Sequence, residues 1–162
     1  MSSEAIAPYV VSKTEMEISL EQALKEITTT MFNCDSRKIP HADIEPSQPG
    51  LSAIVGFGGK LSGYLAIHLS PMSACTLASS LLGMTFDEID DIVTDAMGEM
   101  VNMLAGSLKK YAFRHEDLFK ISIPSVVIGS SYSTHAPQNA ECLSMRFQAG
   151  SCVFTVQLVF SP

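Results

Sequence analysis

Between Thr85 and Tyr111 the apolar positions repeat with the period of a helix. Ile89, Val93, Met97, Met100, Leu104, Leu108 and Tyr111 share one face, which predicts a helix lying on a core. Thr85 with Glu88 three residues on reads as a capping box, and Met84 can staple onto Ile89. Asp87, Glu88, Asp90 and Asp91 complement the positive end of the helix dipole, and Lys109 and Lys110 the negative end. The opposite face carries Glu88, Asp95, Glu99, Asn102 and Gly106 and should look outward.

A second helix is expected over 20–32, where Leu20, Leu24, Ile27 and Met31 recur at helical intervals. Ser19 and Gln22 form a capping box that either starts it or lies just inside it. A third, short helix should run from Pro71 to about Leu82 and end at Gly83. Strands are expected over 51–57 and 61–69, joined through Gly58-Gly59. Leu61, Leu65, Ile67 and Leu69 alternate with Ser62, Tyr64 and His68 there, so His68 reads as an exposed strand residue and not a ligand. Residues 121–129 read as extended, with Pro124 at a sheet edge or bulge. A last hairpin, 141–148 and 152–160, turns around Ala149-Gly150-Ser151. The proline-bearing stretch 35–50 reads as a connection with room for one short edge strand. The sum is an α+β domain: about six mostly antiparallel strands covered by two long helices.

At 162 residues, 46% hydrophobic and 17% charged, the chain suits one domain, residues 15–162, behind a loose tail over 1–14. A net charge of -7 argues against nucleic acid and anionic membrane as partners. No apolar run is long enough to span a bilayer, and the polar start does not resemble a signal peptide, so a cytoplasmic location is expected. Cys34, Cys75, Cys142 and Cys152 show no Cys-x-x-Cys spacing and read as reduced thiols. His41, His68, His115 and His135 are scattered, so no metal site is expected from spacing. Gly56-Phe57-Gly58-Gly59-Lys60 lacks the spacing and the following helix of a phosphate loop.

An outward polar stripe such as Asp95, Glu99 and Asn102 is ordinarily a solvated face. Against that reading, Asn102, Gly98 and Gly106 are poor helix formers, and each Gly costs about 1 kcal/mol relative to Ala. A stripe chosen for solubility would hold Lys, Glu and Gln instead. The pattern Asp95-x-x-x-Glu99-x-x-Asn102, continuing as Met103-Leu104-Ala105-Gly106, resembles the signature of the CheC, CheX and FliY phosphatases of bacterial chemotaxis. Ile123-Pro124-Ser125-Val126-Val127-Ile128-Gly129 is similar to the strand that follows this helix in the CheX type. The order of helices and hairpins from about Glu15 to Phe160 also matches.

The resemblance implies a CheC-like fold built as a pseudo-duplicated αβ unit, with helix 20–32 the counterpart of helix 85–111. Three residues after Glu26 comes Thr29 and not Asn, so a single centre, as in the CheX form, is implied. It further implies a phosphatase acting on a phosphorylated CheY-like response regulator, which brings its own Mg²⁺ and lysine; the chain needs no cofactor of its own. Asn102 would orient the hydrolytic water, its amide offering acceptor and donors together. Glu99 would pair with the regulator's lysine; a solvent-facing glutamate is a weak general base. Asp95, Gly98 and Gly106 would support the helix or its docking surface. A homodimer pairing through the strand 121–129 or the last hairpin is also implied. The alternative is a non-catalytic docking module, as in flagellar switch proteins of the same fold.

Overall fold

Strand alternation and two amphipathic helices decide how the chain stacks. In the computed structural model, which describes residues 11–40, 50–112, 119–129 and 135–161, seven antiparallel strands form one sheet and three helices cover one of its faces. The elements are α1 (Lys13–Met31), β1 (Ser36–Ile39), β2 (Leu51–Gly59), β3 (Ser62–Leu69), α2 (Pro71–Leu82), α3 (Asp91–Ala112), β4 (Phe119–Ile121), β5 (Ser125–Ile128), β6 (Glu141–Ala149) and β7 (Cys152–Ser161). Of the tail expected over 1–14, Lys13 and Thr14 begin α1, and residues 1–10 fall outside the described residues. So do residues 41–49 with His41, Pro46 and Pro49, residues 113–118 with His115, and residues 130–134.

The sheet order is β1-β6-β7-β3-β2-β4, with β5 also on β2. The chain thus makes two similar passes: helix, short strand, hairpin. α1, β1 and the β2–β3 hairpin form the first, and α3, β4–β5 and the β6–β7 hairpin the second. Each short strand pairs with the first hairpin strand of the other pass, β1 with β6 and β4–β5 with β2. The last hairpin strands, β3 and β7, meet at the centre, Leu65 opposite Leu158. The duplicated αβ unit is therefore visible in the topology. At the β3–β7 seam a side chain on Gly63 would collide with the Val159 carbonyl oxygen, so the backbones touch there without a Cβ between them.

Met16, Leu20, Leu24 and Ile27 of α1 and Val93, Met97, Met100, Leu104 and Leu108 of α3 close over Val55, Leu65, Ile67, Val156 and Leu158 of the sheet. Each such burial contributes about 1.5–3 kcal/mol. Glu26 ties the two helices together: it accepts from Lys110 at 3.1 Å and Ser107 at 3.5 Å. The Tyr111 hydroxyl, then Lys110, hold its carboxyl below the ordinary carboxylate value. That contribution is present above the ordinary range and is lost as pH falls through the lowered value. At the sheet's edge, Lys38 of β1 pairs with Glu17 and Glu21 of α1.

Several boundaries differ from the sequence reading. α1 starts at Lys13, where Ser12 and Glu15 make the capping box, so Ser19 and Gln22 lie inside the helix. α3 starts at Asp91 and not at Thr85: Asp90 Oδ1 accepts from the Val93 N–H at 2.8 Å and caps it. Residues 84–90 are irregular, tied back through the Phe86 N–H to Ser79 Oγ at 3.1 Å. Gly58 and Gly59 are not the turn; they belong to β2 and pair with Lys120 and Phe119, and the chain reverses at Lys60-Leu61. β4 and β5 split the expected strand 121–129 at residues 122–124, giving seven strands and not six. The last hairpin lies inside the sheet, with β6 between β1 and β7, so it offers no free edge for a dimer. α2 matches the expectation, with Ser70 as cap, Pro71 in the first turn and Gly83 left-handed at φ 66°.

The two candidate caps of α3 separate cleanly by mutation. Asp90→Ala should lower the free energy of unfolding by about 1 kcal/mol in urea titrations, whereas Thr85→Ala should leave it within about 0.5 kcal/mol. The reverse order would place the helix start back at Thr85.

Candidate functional site

The buried stripe of α3 fixes the helix's rotation, and with it the opposite stripe. Asp95 and Glu99 are exposed and Asn102 is half-buried, on neighbouring turns of one face. Glu99 and Asn102 are about 4.5 Å apart along the axis. Among the described residues, no hydrogen bond or ion pair within the chain engages the side chains of Asp95, Glu99 or Asn102. By contrast Glu15, Glu17, Glu26 and Asp90 are all spent on caps and bridges. The signature side chains are thus positioned by the fold but not consumed by it.

Gly98 and Gly106 play different parts. Gly98 is buried, and a methyl group there would lie 3.5 Å from Val126 Cγ2 and 3.9 Å from Pro124 Cγ. These are ordinary contact distances, so the β4–β5 segment packs against α3, beside the turn that carries Glu99 and Asn102, without requiring a glycine there. Gly106 is exposed, and a methyl group there would meet nothing within 4 Å. No packing inside the described chain calls for a glycine at that point.

The charge around the pair is acidic toward the helix start, with Asp90, Asp91 and Asp95, and basic toward its end. There Lys109 stands 5.7 Å from the Phe119 ring centre and Lys110 turns to Glu26. Among the described residues, no three His, Cys, Asp or Glu side chains gather to hold a metal ion. The four cysteines are free, and burial pushes the Cys34, Cys75 and Cys152 thiols up.

One arrangement escaped the sequence reading. On the sheet face away from the helices, Ser52 Oγ lies 2.6 Å from His68 Nδ1, and His68 Nε2 lies 3.1 Å from Gln157 Oε1. A Ser–His–amide chain invites comparison with a nucleophilic triad. Ser52 is wholly buried, so no substrate can reach it, and the chain serves to satisfy polar groups under the sheet. The sequence signal, Ser52 opposite His68 in a hairpin, becomes legible only once the β2–β3 register is known.

Comparison with known proteins adds to this geometry. The sequence model of one protein family, described as "Chemotaxis phosphatase CheX", matches residues 51–148. The "CheY-P phosphatase CheX" of Thermotoga maritima is 33% identical over 95 residues, 56% of this chain and 57% of that protein. The match thus spans a little over half the length of that curated relative. The crystal structure of the chemotaxis protein CheX from Vibrio vulnificus superposes with a TM-score of 0.79 at 19% identity, over 94% of this chain and 100% of that one. A CheX–CheY–BeF3–Mg²⁺ complex from Borrelia burgdorferi matches with a TM-score of 0.69 at 20% identity, over 92% and 97% of the two chains. At these identities the structural likenesses establish the CheC-like fold. No helix among the described residues is long and apolar enough to cross a membrane.

Gly106 gives this site its own test. Gly106→Ala should raise the free energy of unfolding by about 0.5–1 kcal/mol in denaturant titrations, because the helix gains and nothing clashes. A loss of stability would mean that the position is packed after all.

Proposed function

Since the chain belongs to the chemotaxis phosphatase CheX family, we propose that it removes the phosphoryl group from the aspartyl phosphate of a CheY-like response regulator. The observation that carries this is the pair Glu99 and Asn102. Both are present, on the outward face of a helix whose inward face is locked in the core, and neither is used by the fold.

The pair suits a reaction in which the substrate supplies the reactivity. The chain presents no accessible activated nucleophile at this face, and an acyl phosphate is already labile. What speeds its loss is a water held in line with the breaking P–O bond. The water's oxygen attacks phosphorus, the aspartyl carboxylate leaves, and inorganic phosphate departs. Asn102 can accept from that water or donate to it without changing protonation. Glu99, one turn away, would pair with the regulator's lysine and set the register of Asn102 over the phosphoryl group. Mg²⁺ belongs to the regulator in this scheme. Asp95 flanks the docking surface, and Gly106 leaves a gap on the Asn102 side through which the partner's backbone can come close. The protein would work in the cytoplasm, where its substrate resides.

A homodimer is part of the same reading. With the last hairpin enclosed, the expected pairing strand that still lies at an edge is β5, where Val127 and Ile128 are exposed. Light scattering at micromolar concentration should return twice 17.4 kDa; a clean monomer mass would rule the dimer out.

The activity is tested by following phosphate loss from the purified phosphorylated CheY-type regulator of the same organism. The wild type should accelerate it. Asn102→Ala should slow turnover by about a hundredfold with the fold intact, since the lost interaction matters mainly in the transition state. Glu99→Ala should weaken both turnover and binding. Binding of the regulator without any acceleration would move the protein to the docking class.

A further inference from the structure

The segment that lies against Gly98 is irregular in a way that bears on the site. β4 pairs with β2 so that Ile121 stands opposite Phe57, and Ser122 continues that register. Its N–H donates to the Gly56 carbonyl at 2.8 Å, and the Gly56 N–H donates to Ser122 Oγ at 2.9 Å. β5 resumes with Ser125 opposite Ile54. Val55 is therefore met by two residues, Ile123 and Pro124, which makes the junction a β-bulge. Pro124 packs toward Gly98, and Ile123 is left 88% exposed.

The bulge also has a definite place along α3. Lys109 stands over Phe119 at one end of the segment, and Pro124 lies at Gly98 at the other. The helix rises about 16 Å from Gly98 to Lys109, and the strand spans about 17 Å from Phe119 to Pro124. The two run side by side in opposite senses. Ile123 consequently sits level with the turn from Gly98 to Asn102.

We infer that Ile123 is an apolar anchor by which the phosphorylated receiver domain is held against Glu99 and Asn102. The inference rests on the phosphatase reading above and says which residue, outside the signature, sets the affinity. A lone exposed isoleucine ordinarily needs no explanation. This one is fixed in place: Ser122 pins one side, the ring of Pro124 fixes the other, and an extra residue has been inserted into the strand at that point. A rigid apolar side chain beside a polar pair is the arrangement that binding hot spots take, because little freedom is lost on docking. The helix it lies level with exposes the carboxylates Asp95 and Glu99, which complement a partner offering a lysine. A second copy of the chain is the competing occupant. Edge pairing needs an unbroken ladder, and the bulge with a proline that lacks an N–H breaks it at this position. Val127 and Ile128 on β5 remain for such pairing.

The test compares wild type, Ile123→Ser and Asn102→Ala on the CheY-type receiver of the same organism. The receiver is phosphorylated for turnover and loaded with Mg²⁺ and beryllofluoride for binding. For Ile123→Ser the expected result is a KM and a Kd raised about tenfold, with kcat and the thermal midpoint unchanged. Asn102→Ala should lose kcat and keep its Kd. Wild-type KM and Kd in Ile123→Ser would overturn the inference. So would a fall in mass by light scattering without a change in Kd, which would assign Ile123 to the contact between copies. Should the wild type bind the receiver without dephosphorylating it, the phosphatase reading fails and the Kd alone judges Ile123. Should it not bind at all, both fall.

Discussion

Val93, Met97, Met100, Leu104 and Leu108 leave water together only if α3 lies on the sheet at one rotation about its axis. Turning the helix by one residue, about 100°, would expose most of that stripe, at about 1.5–3 kcal/mol for each large side chain. The outward direction of Glu99 and Asn102 is therefore not a separate property that needs its own support. It is the other side of the same packing, and it is held as firmly as the core. The position of the β4–β5 segment follows too, since Pro124 and Val126 reach Gly98 only when that side of the helix faces the sheet edge.

The duplicated architecture raises the question of why the two helices are not equivalent. α1 and α3 occupy corresponding places in the two passes, and both bury four or more large apolar residues against the shared sheet. Glu26 of α1 is turned to α3 and engaged by Lys110, Ser107 and Tyr111. Glu99 of α3 has no such engagement among the described residues. One helix has thus spent its glutamate on joining the two halves, while the other keeps its own free. The asymmetry is physical and not only a missing asparagine: restoring an amide at Thr29 would not release Glu26 from its partners.

Patterns with a short period were legible in the sequence, and those that depend on partners were not. The alternation of Leu65, Ile67 and Leu69, and of Phe154, Val156 and Leu158, gave both hairpins, the helical period gave α1 and α3, and Pro71 and Gly83 marked α2. The ends went astray where two local signals compete. Thr85 with Glu88 makes as good a capping box on paper as Asp90 makes a simple cap; burial of Val93 rather than Ile89 in the first turns decides between them. Gly58-Gly59 looked like a turn because nothing local reveals that β4 pairs across it. The enclosure of the last hairpin is likewise a matter of sheet order. The residues proposed for the site were picked out by their spacing and a family resemblance. The bulge that sets Ile123 beside them arises from a register shift between two strand pairings, which no single stretch of sequence contains.

The choice of an amide beside a carboxylate follows from charge. On the phosphatase reading, the group brought to α3 is a phosphoryl carrying negative charge, partly neutralised by its own metal ion and lysine. A carboxylate at position 102 would place like charge against the phosphoryl oxygens and the incoming water's lone pairs, a repulsion that grows as water is excluded. The carboxamide of Asn102 has the same outline without the charge, and its donors and acceptor can hold the water in one orientation. The carboxylate is useful one turn away, where Glu99 can meet a cation and not the phosphate. Separating the two by three residues on a helix keeps them on one face about 4.5 Å apart along the axis. The acid can thus register the partner while the amide stays neutral over the reacting centre.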